Sequence, residues 1–225
     1  GINLKIPIFI QDQNSIPGMI TKRLHKYTKK IFLGYPQTDH LKNKNYIFTG
    51  NPLRHDLKII DKKVAKKNLE FDINKKLVLI IGGSQGAQAI NMHIINNIKF
   101  YINNNLQILW QCGSYDINKL KDNINDKSII ISDFIRDMSI AYSAADIVIS
   151  RAGAIAISEL THFKKAMILI PLPSAAENHQ EINANYIESK NACKKILQKE
   201  LNKGNLELYI KKLINNNQKI KELEK

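Results

Sequence analysis

From residue 75 onward, short and mostly apolar runs alternate with longer segments whose apolar residues recur every three to four positions. The apolar runs at 77–81, 106–111, 128–131, 147–150, 166–170 and 194–197 predict strands. The segments at 85–98, 117–124, 138–145, 154–163, 178–189 and 206–216 predict helices. Strands without polar alternation are buried on both faces, so the expected fold class is α/β: a doubly wound, Rossmann-like parallel sheet with helices on either side. Such sheets bind ligands at the carboxyl ends of their strands. The earlier part carries the same rhythm in shorter form. Strands are expected at 6–10, 30–33 and 45–49, with a polar loop at 11–15 and a helix opened by Pro17-Gly18 and running to about residue 27. Gly50-Asn51-Pro52-Leu53-Arg54 breaks the pattern, and the text to residue 74 is polar and Lys-rich with no sustained strand. The expected organisation is the end of one domain at 1–55, a linker at 56–75 and a second domain at 76–225. The polar tail 217–225 reads as a fraying helix end. The chain opens on Gly1 rather than Met, directly in strand-like sequence, so the start of the protein is expected to lie outside it.

Composition narrows the class. With 225 residues, 44% hydrophobic and 24% charged, the chain has a globular balance. It shows neither a signal peptide nor an apolar stretch long enough to span a bilayer. The net charge of +14 comes from Lys spread through the helices, beside abundant Asn and Ile, as a biased coding composition would give. Arginine, the better phosphate fork, occurs only at Arg23, Arg54, Arg136 and Arg151. Nucleic acid is therefore discounted, and attraction to an anionic membrane surface is kept. Cys112 and Cys193 sit beside apolar runs and are read as buried thiols rather than a disulfide. The histidines show no metal-ligand spacing.

Four stretches at predicted strand ends carry candidate chemistry. Residues 146–159 read as a buried strand, a small-residue turn at Arg151-Ala152-Gly153-Ala154 and the first turns of a helix. Unpaired N–H groups at such a helix start suit a diphosphate, and Glu159, about one and a half turns in, could accept bonds from sugar hydroxyls. The same residues equally suit an ordinary strand–turn–helix with a Gly for close packing. Gly82-Gly83-Ser84-Gln85-Gly86-Ala87 follows the 77–81 strand and lets a ligand approach the backbone. It is neither the dinucleotide fingerprint nor a P-loop, and a packing turn is the competing reading. Asp133-Phe134-Ile135-Arg136-Asp137-Met138 could clamp a base, or tuck its apolar residues into the core. In the 171–180 segment, Gln180 both donates and accepts and so suits neutral hydroxyls. His179 at the helix start is read as a cap or surface residue rather than a catalyst.

Taken in order, these strings resemble the MurG family of UDP-N-acetylglucosamine (UDP-GlcNAc) transferases. The resemblance rests on Gln13-Asn14, 50–54, 82–87, 133–138, Arg151-Ala152-Gly153-Ala154 through Ser158-Glu159, then His179-Gln180 and Asn183-Ala184. It covers almost the whole chain and implies a GT-B architecture with the donor held by the C-terminal domain. It implies that Ser84 lies near the diphosphate and Ile135 at the uracil. Ala154, Ile155, Ala156, Ile157, Ser158 and Glu159 would hold the phosphate end and the ribose, with Gln180 on the GlcNAc hydroxyls. Asn14 and Arg54 would reach the donor from the other side. The implied activity is transfer of GlcNAc from UDP-GlcNAc to lipid-linked MurNAc-pentapeptide (lipid I to lipid II) in peptidoglycan synthesis. It is an inverting reaction with no metal and no cofactor, at the cytoplasmic face of the bacterial plasma membrane. The resemblance implies that the family's Gly-rich loop with its proposed His base is absent from this chain and that the chain stops before the family's last helix, and Gln11-Asp12 stands where a His-Glu pair is common. These departures leave room for three rivals: a UDP-sugar epimerase of similar fold, a non-catalytic nucleotide-sugar-binding remnant, and a basic RNA- or membrane-binding module.

Overall fold

The computed structural model of the chain describes residues 3–36, 45–83 and 86–224. Its strands form two parallel sheets. The first contains β1 (Ile8–Asp12), β2 (Thr28–Leu33) and β3 (Tyr46–Phe48) in that order, with helix α1 (Met19–Leu24) crossing from β1 to β2. β1 runs on through Asp12, where a polar loop was expected, because its edge pairs with β2 as far as Leu33.

The second sheet holds β4 (Leu77–Ile81), β5 (Gln107–Gln111), β6 (Ile129–Ser132), β7 (Ile147–Ser150), β8 (Ala166–Leu169) and β9 (Cys193–Lys195). Their order in space is β6-β5-β4-β7-β8-β9, every pair parallel. The chain winds outward from β4 to β6 and then returns to the other side of β4. The crevice between the carboxyl ends of β4 and β7 is thus the topological switch point. The doubly wound fold is the one the sequence predicts.

Both faces of this sheet are buried, which is why its strands lack polar alternation. On β4, Val78 and Ile80 enter one hydrophobic cluster while Leu77, Leu79 and Ile81 enter the other. The first cluster lies under α3 (Gln88–Asn96), α4 (Ile98–Asn103), α5 (Ile117–Asn123), α9 (Asn205–Ile214) and α10 (Asn217–Leu223). The second lies under α2 (Lys62–Asn68), α6 (Met138–Ala144), α7 (Ala154–His162) and α8 (His179–Ser189).

Three expectations change. The helix placed at 85–98 starts at Gln88 and gives way to a separate α4. The polar stretch 56–75 contains α2, capped by the Asp61 carboxylate on the N–H groups of Lys63 and Val64. The tail does not fray: Asn216 caps α10, and Ile220 and Leu223 are buried against the sheet. Among the described residues no helix is long and apolar enough to cross a membrane.

At the amino edge of the second sheet, buried Asp146 anchors α2. It accepts from Lys66 at 2.8 Å, Lys62 at 3.0 Å and the Leu77 N–H at 2.9 Å. Burial pushes the Asp146 pKa up, but Lys62, Lys66 and the Leu77 amide outweigh it and hold the carboxyl below its ordinary value. This edge lies opposite the crevice and carries no candidate site chemistry.

Candidate functional site

A cavity of about 800 Å³ opens over the carboxyl ends of β4 and β7. Of the residues singled out in sequence, Arg54, Ile135, Ile155, Ala156, Glu159 and Gln180 line it together.

One wall is the start of α7. Gly153 is its N-cap and offers no side chain to the first turn. The first intrahelical bond runs from the Ile157 N–H to the Gly153 carbonyl at 3.0 Å. The N–H groups of Ala154, Ile155 and Ala156 have no protein acceptor among the described residues, so the positive end of the helix dipole faces the cavity region uncompensated. Glu159 follows on the same face. Its side chain is 12% exposed, it accepts from the Tyr142 hydroxyl at 2.7 Å, and Arg54 lies 3.9 Å away. Burial first, and then the Glu159 charge, push the Tyr142 phenol well above its ordinary pKa, so it stays a donor.

A second wall is built on the end of β5. The glycine loop approaches it so closely that a Cβ on Gly86 would overlap the Cys112 carbonyl, and both Gly83 (φ +89°) and Gly86 (φ +79°) occupy the left-handed region. Asn91 of α3 ties the same strand end down, donating to the Cys112 carbonyl at 2.8 Å and accepting from the Trp110 indole at 3.0 Å. Phe134, Ile135 and Met138 supply apolar surface beside it.

The third wall is the exit from β7 and β8. Gln180 accepts the N–H groups of Leu172 at 3.0 Å and Ala152 at 3.2 Å through Oε1. Its amide nitrogen has no protein partner among the described residues. Arg151 donates to the carbonyls of Ile170 and Pro171 and to Gln198 Oε1 at 2.8 Å. Burial lowers its pKa, and no carboxylate of the described residues pairs with it. A half-buried guanidinium without a counter-ion, beside a helix start without acceptors, is an arrangement that a phosphate would complete.

The remaining sequence-chosen residues lie elsewhere. Ala154 and Ile157 are buried in the core under α7. Ser158 faces the first sheet, where its hydroxyl accepts from Asn51 at 3.0 Å and donates to the Ala154 carbonyl at 2.9 Å. Asn14 accepts from Asn183 at 3.1 Å at the junction of the two sheets. Ser84 lies outside the described residues. Gln111, Tyr142 and Arg151 line the cavity without having been chosen as ligand contacts. In sequence Gln111 falls at the end of a predicted strand, Tyr142 within a predicted helix and Arg151 in a turn; the signal available is their place at strand ends or one helix away from Glu159. Both cysteines are buried free thiols, their pKa values pushed up by burial to about 11 for Cys112 and about 12 for Cys193. Among the described residues, no group of three or more His, Cys, Asp or Glu could hold a metal ion.

The chain is similar in sequence and fold to known proteins. Residues 77–225 match the glycosyltransferase family 28 C-terminal domain. The chain is 39% identical to the UDP-N-acetylglucosamine–N-acetylmuramyl-(pentapeptide) pyrophosphoryl-undecaprenol N-acetylglucosamine transferase of Thermodesulfovibrio yellowstonii, over 98% of its own length and 62% of the relative's. The like-named protein of Flavobacterium psychrophilum is also 39% identical, with 99% and 61% covered. Among solved structures, MurG of Acinetobacter baumannii superposes with a TM-score of 0.78 at 26% identity, over 99% of this chain and 62% of that one. The chain thus spans about three fifths of the length of these relatives.

Proposed function

The chain belongs to glycosyltransferase family 28, and from that premise we propose that it forms the donor-binding part of an inverting transferase. The enzyme would move GlcNAc from UDP-GlcNAc to a lipid-linked MurNAc-pentapeptide. Residues 76–225 would be the donor domain, 56–75 the connection and 1–55 the end of the acceptor domain. One observation carries the reading: Ile155 and Ala156, whose N–H groups are acceptor-free among the described residues, and Glu159 share one wall of a cavity at the switch point. The names of the relatives support the identity of the sugar and of the acceptor.

On this reading the diphosphate lies between the start of α7 and the backbone of Gly82 and Gly83 with Arg151 and Arg54 nearby, the ribose hydroxyls bond Glu159, and the base lies among Phe134, Ile135 and Met138. Gln180, its carbonyl spent on the turn, offers its amide hydrogens to the sugar. The acceptor hydroxyl attacks the anomeric carbon from the face opposite the diphosphate. Its oxygen forms the new glycosidic bond as the bond to the β-phosphate oxygen breaks, and its proton passes to a base. Charge developing on the leaving UDP meets groups already oriented toward it, which is where preorganised positive charge lowers a barrier. The net charge of +14 suits peripheral contact with an anionic membrane surface at its cytoplasmic face, where the lipid-linked acceptor would be met.

A thermal-shift titration tests the reading. UDP-GlcNAc at about 100 times its Kd should stabilise the chain by about 2.7 kcal/mol, with UDP-glucose weaker and NAD without effect. Equal shifts with NAD, or none with UDP-GlcNAc, would overturn it.

A further inference from the structure

We infer that Gln111 is a positioning residue that fixes the spacing between the base end and the diphosphate end of the cavity; this rests on reading the cavity as a nucleoside-diphosphate site. Gln111 ends β5 and is 5% exposed. Its Oε1 accepts the Ile135 N–H at 2.9 Å, and its Nε2 donates to the Gly83 carbonyl at 3.0 Å. Only one amide orientation satisfies both partners, so the side chain is locked end to end. Among the described residues it is the one side chain hydrogen-bonded to both Gly83 and the 133–137 loop.

The other anchors hold each loop separately. Cys112 and Gly113 donate their N–H groups to the Ser132 and Asp133 carbonyls, fixing the root of the base-side loop. The close approach of Gly86 to the Cys112 carbonyl fixes the far end of the glycine loop. The point where each loop meets a ligand, Ile135 on one side and Gly83 on the other, is set by Gln111. A ligand spanning both ends gains from the second contact only as far as the two contacts are held at the right separation. Loss of Gln111 should therefore weaken the spanning ligand far more than either of its halves. A residue that merely supported folding would weaken all of them alike.

Wild type, Gln111→Met and Gln111→Glu should be titrated by calorimetry with UDP, uridine and inorganic pyrophosphate, and the unliganded melting temperature recorded. Methionine keeps the length and removes both hydrogen bonds. Glutamate keeps the acceptor for Ile135 and removes the donor to Gly83, and it carries the test if the Met variant fails to melt cooperatively. In either variant UDP should weaken by about tenfold or more while uridine and pyrophosphate change by less than about threefold. An unchanged UDP affinity, or an equal fall for all three ligands, overturns the inference. Wild type that binds neither UDP nor uridine instead refutes the donor-site reading, and the inference falls with it.

Discussion

Glu159 is held in place by a phenol. With Tyr142 buried and kept protonated, one carboxylate oxygen is fixed by a hydrogen bond at 2.7 Å, and the other lies 3.9 Å from Arg54. The Arg54 pair is long and half-exposed and adds little by itself. The carboxylate's function on the proposed reading is to accept ribose hydroxyls. Glu159→Ala should weaken UDP-GlcNAc binding by about 1–3 kcal/mol, and it also leaves the Tyr142 hydroxyl buried without an acceptor. Glu159→Gln separates the two effects: it retains an oxygen for Tyr142 and should recover the melting temperature while recovering only part of the affinity. Calorimetry showing wild-type UDP-GlcNAc affinity in both variants would remove Glu159 from the site.

The elements of the second sheet were legible because the physics that buries them is local. Strands covered on both faces are mostly apolar, and β4, β5, β7 and β8 appear close to where the runs predict. The faces of α7 were not legible in a run of candidate residues. Ile155, Ala156 and Glu159 fall together at helical spacing toward the cavity, whereas Ile157 and Leu160 turn to the core and Ser158 to the first sheet. Gln111 and Arg151 escaped because their importance lies in partners distant in sequence. α2 escaped for an electrostatic reason: a Lys-rich segment reads as solvated linker unless a buried carboxylate is known to receive it. That carboxylate, Asp146, takes in Lys66, which is itself 3% exposed. Asp146→Asn should cost about 3 kcal/mol or more at pH 7, because it strands a buried ammonium. The folded-state pKa of Asp146 lies below its unfolded value, so its contribution is complete above about pH 4 and fades as the pH falls through the folded pKa. Urea unfolding of both proteins should show the gap between them narrowing below about pH 4. A gap that stays constant from neutral pH into acid would rule out the charge of Asp146 as its cause.

At the scale of the molecule, the two sheets meet through Tyr35, which enters the second hydrophobic cluster edge-on to Tyr186, and through a set of polar side chains. Asn51 accepts from Gln11 and donates to the Gln13 carbonyl and to Ser158, joining the first sheet to α7. Lys22 reaches Glu177 at 2.9 Å on the outside, where solvent weakens the pair. The central contact is Asn183 of α8, which is fully buried. Its Oδ1 receives both the N–H and the hydroxyl of Ser15, at 2.9 and 2.8 Å, and its Nδ2 donates to Asn14 and to the Ala152 carbonyl. The same turn that carries the helix start of α7 is thus tied to the loop that follows β1. If this amide is what joins the two parts, Asn183→Leu should leave the Ser15 N–H without its acceptor and loosen the first sheet alone. Hydrogen exchange should then quicken by about fivefold or more in β1 and β2, as the loss of about 1–3 kcal/mol from a local opening implies, while β4, β5 and β7 keep their protection. Exchange that quickens equally in both sheets would mean that they open as one cooperative unit, and Asn183 would then be a core residue of that unit rather than the join between two.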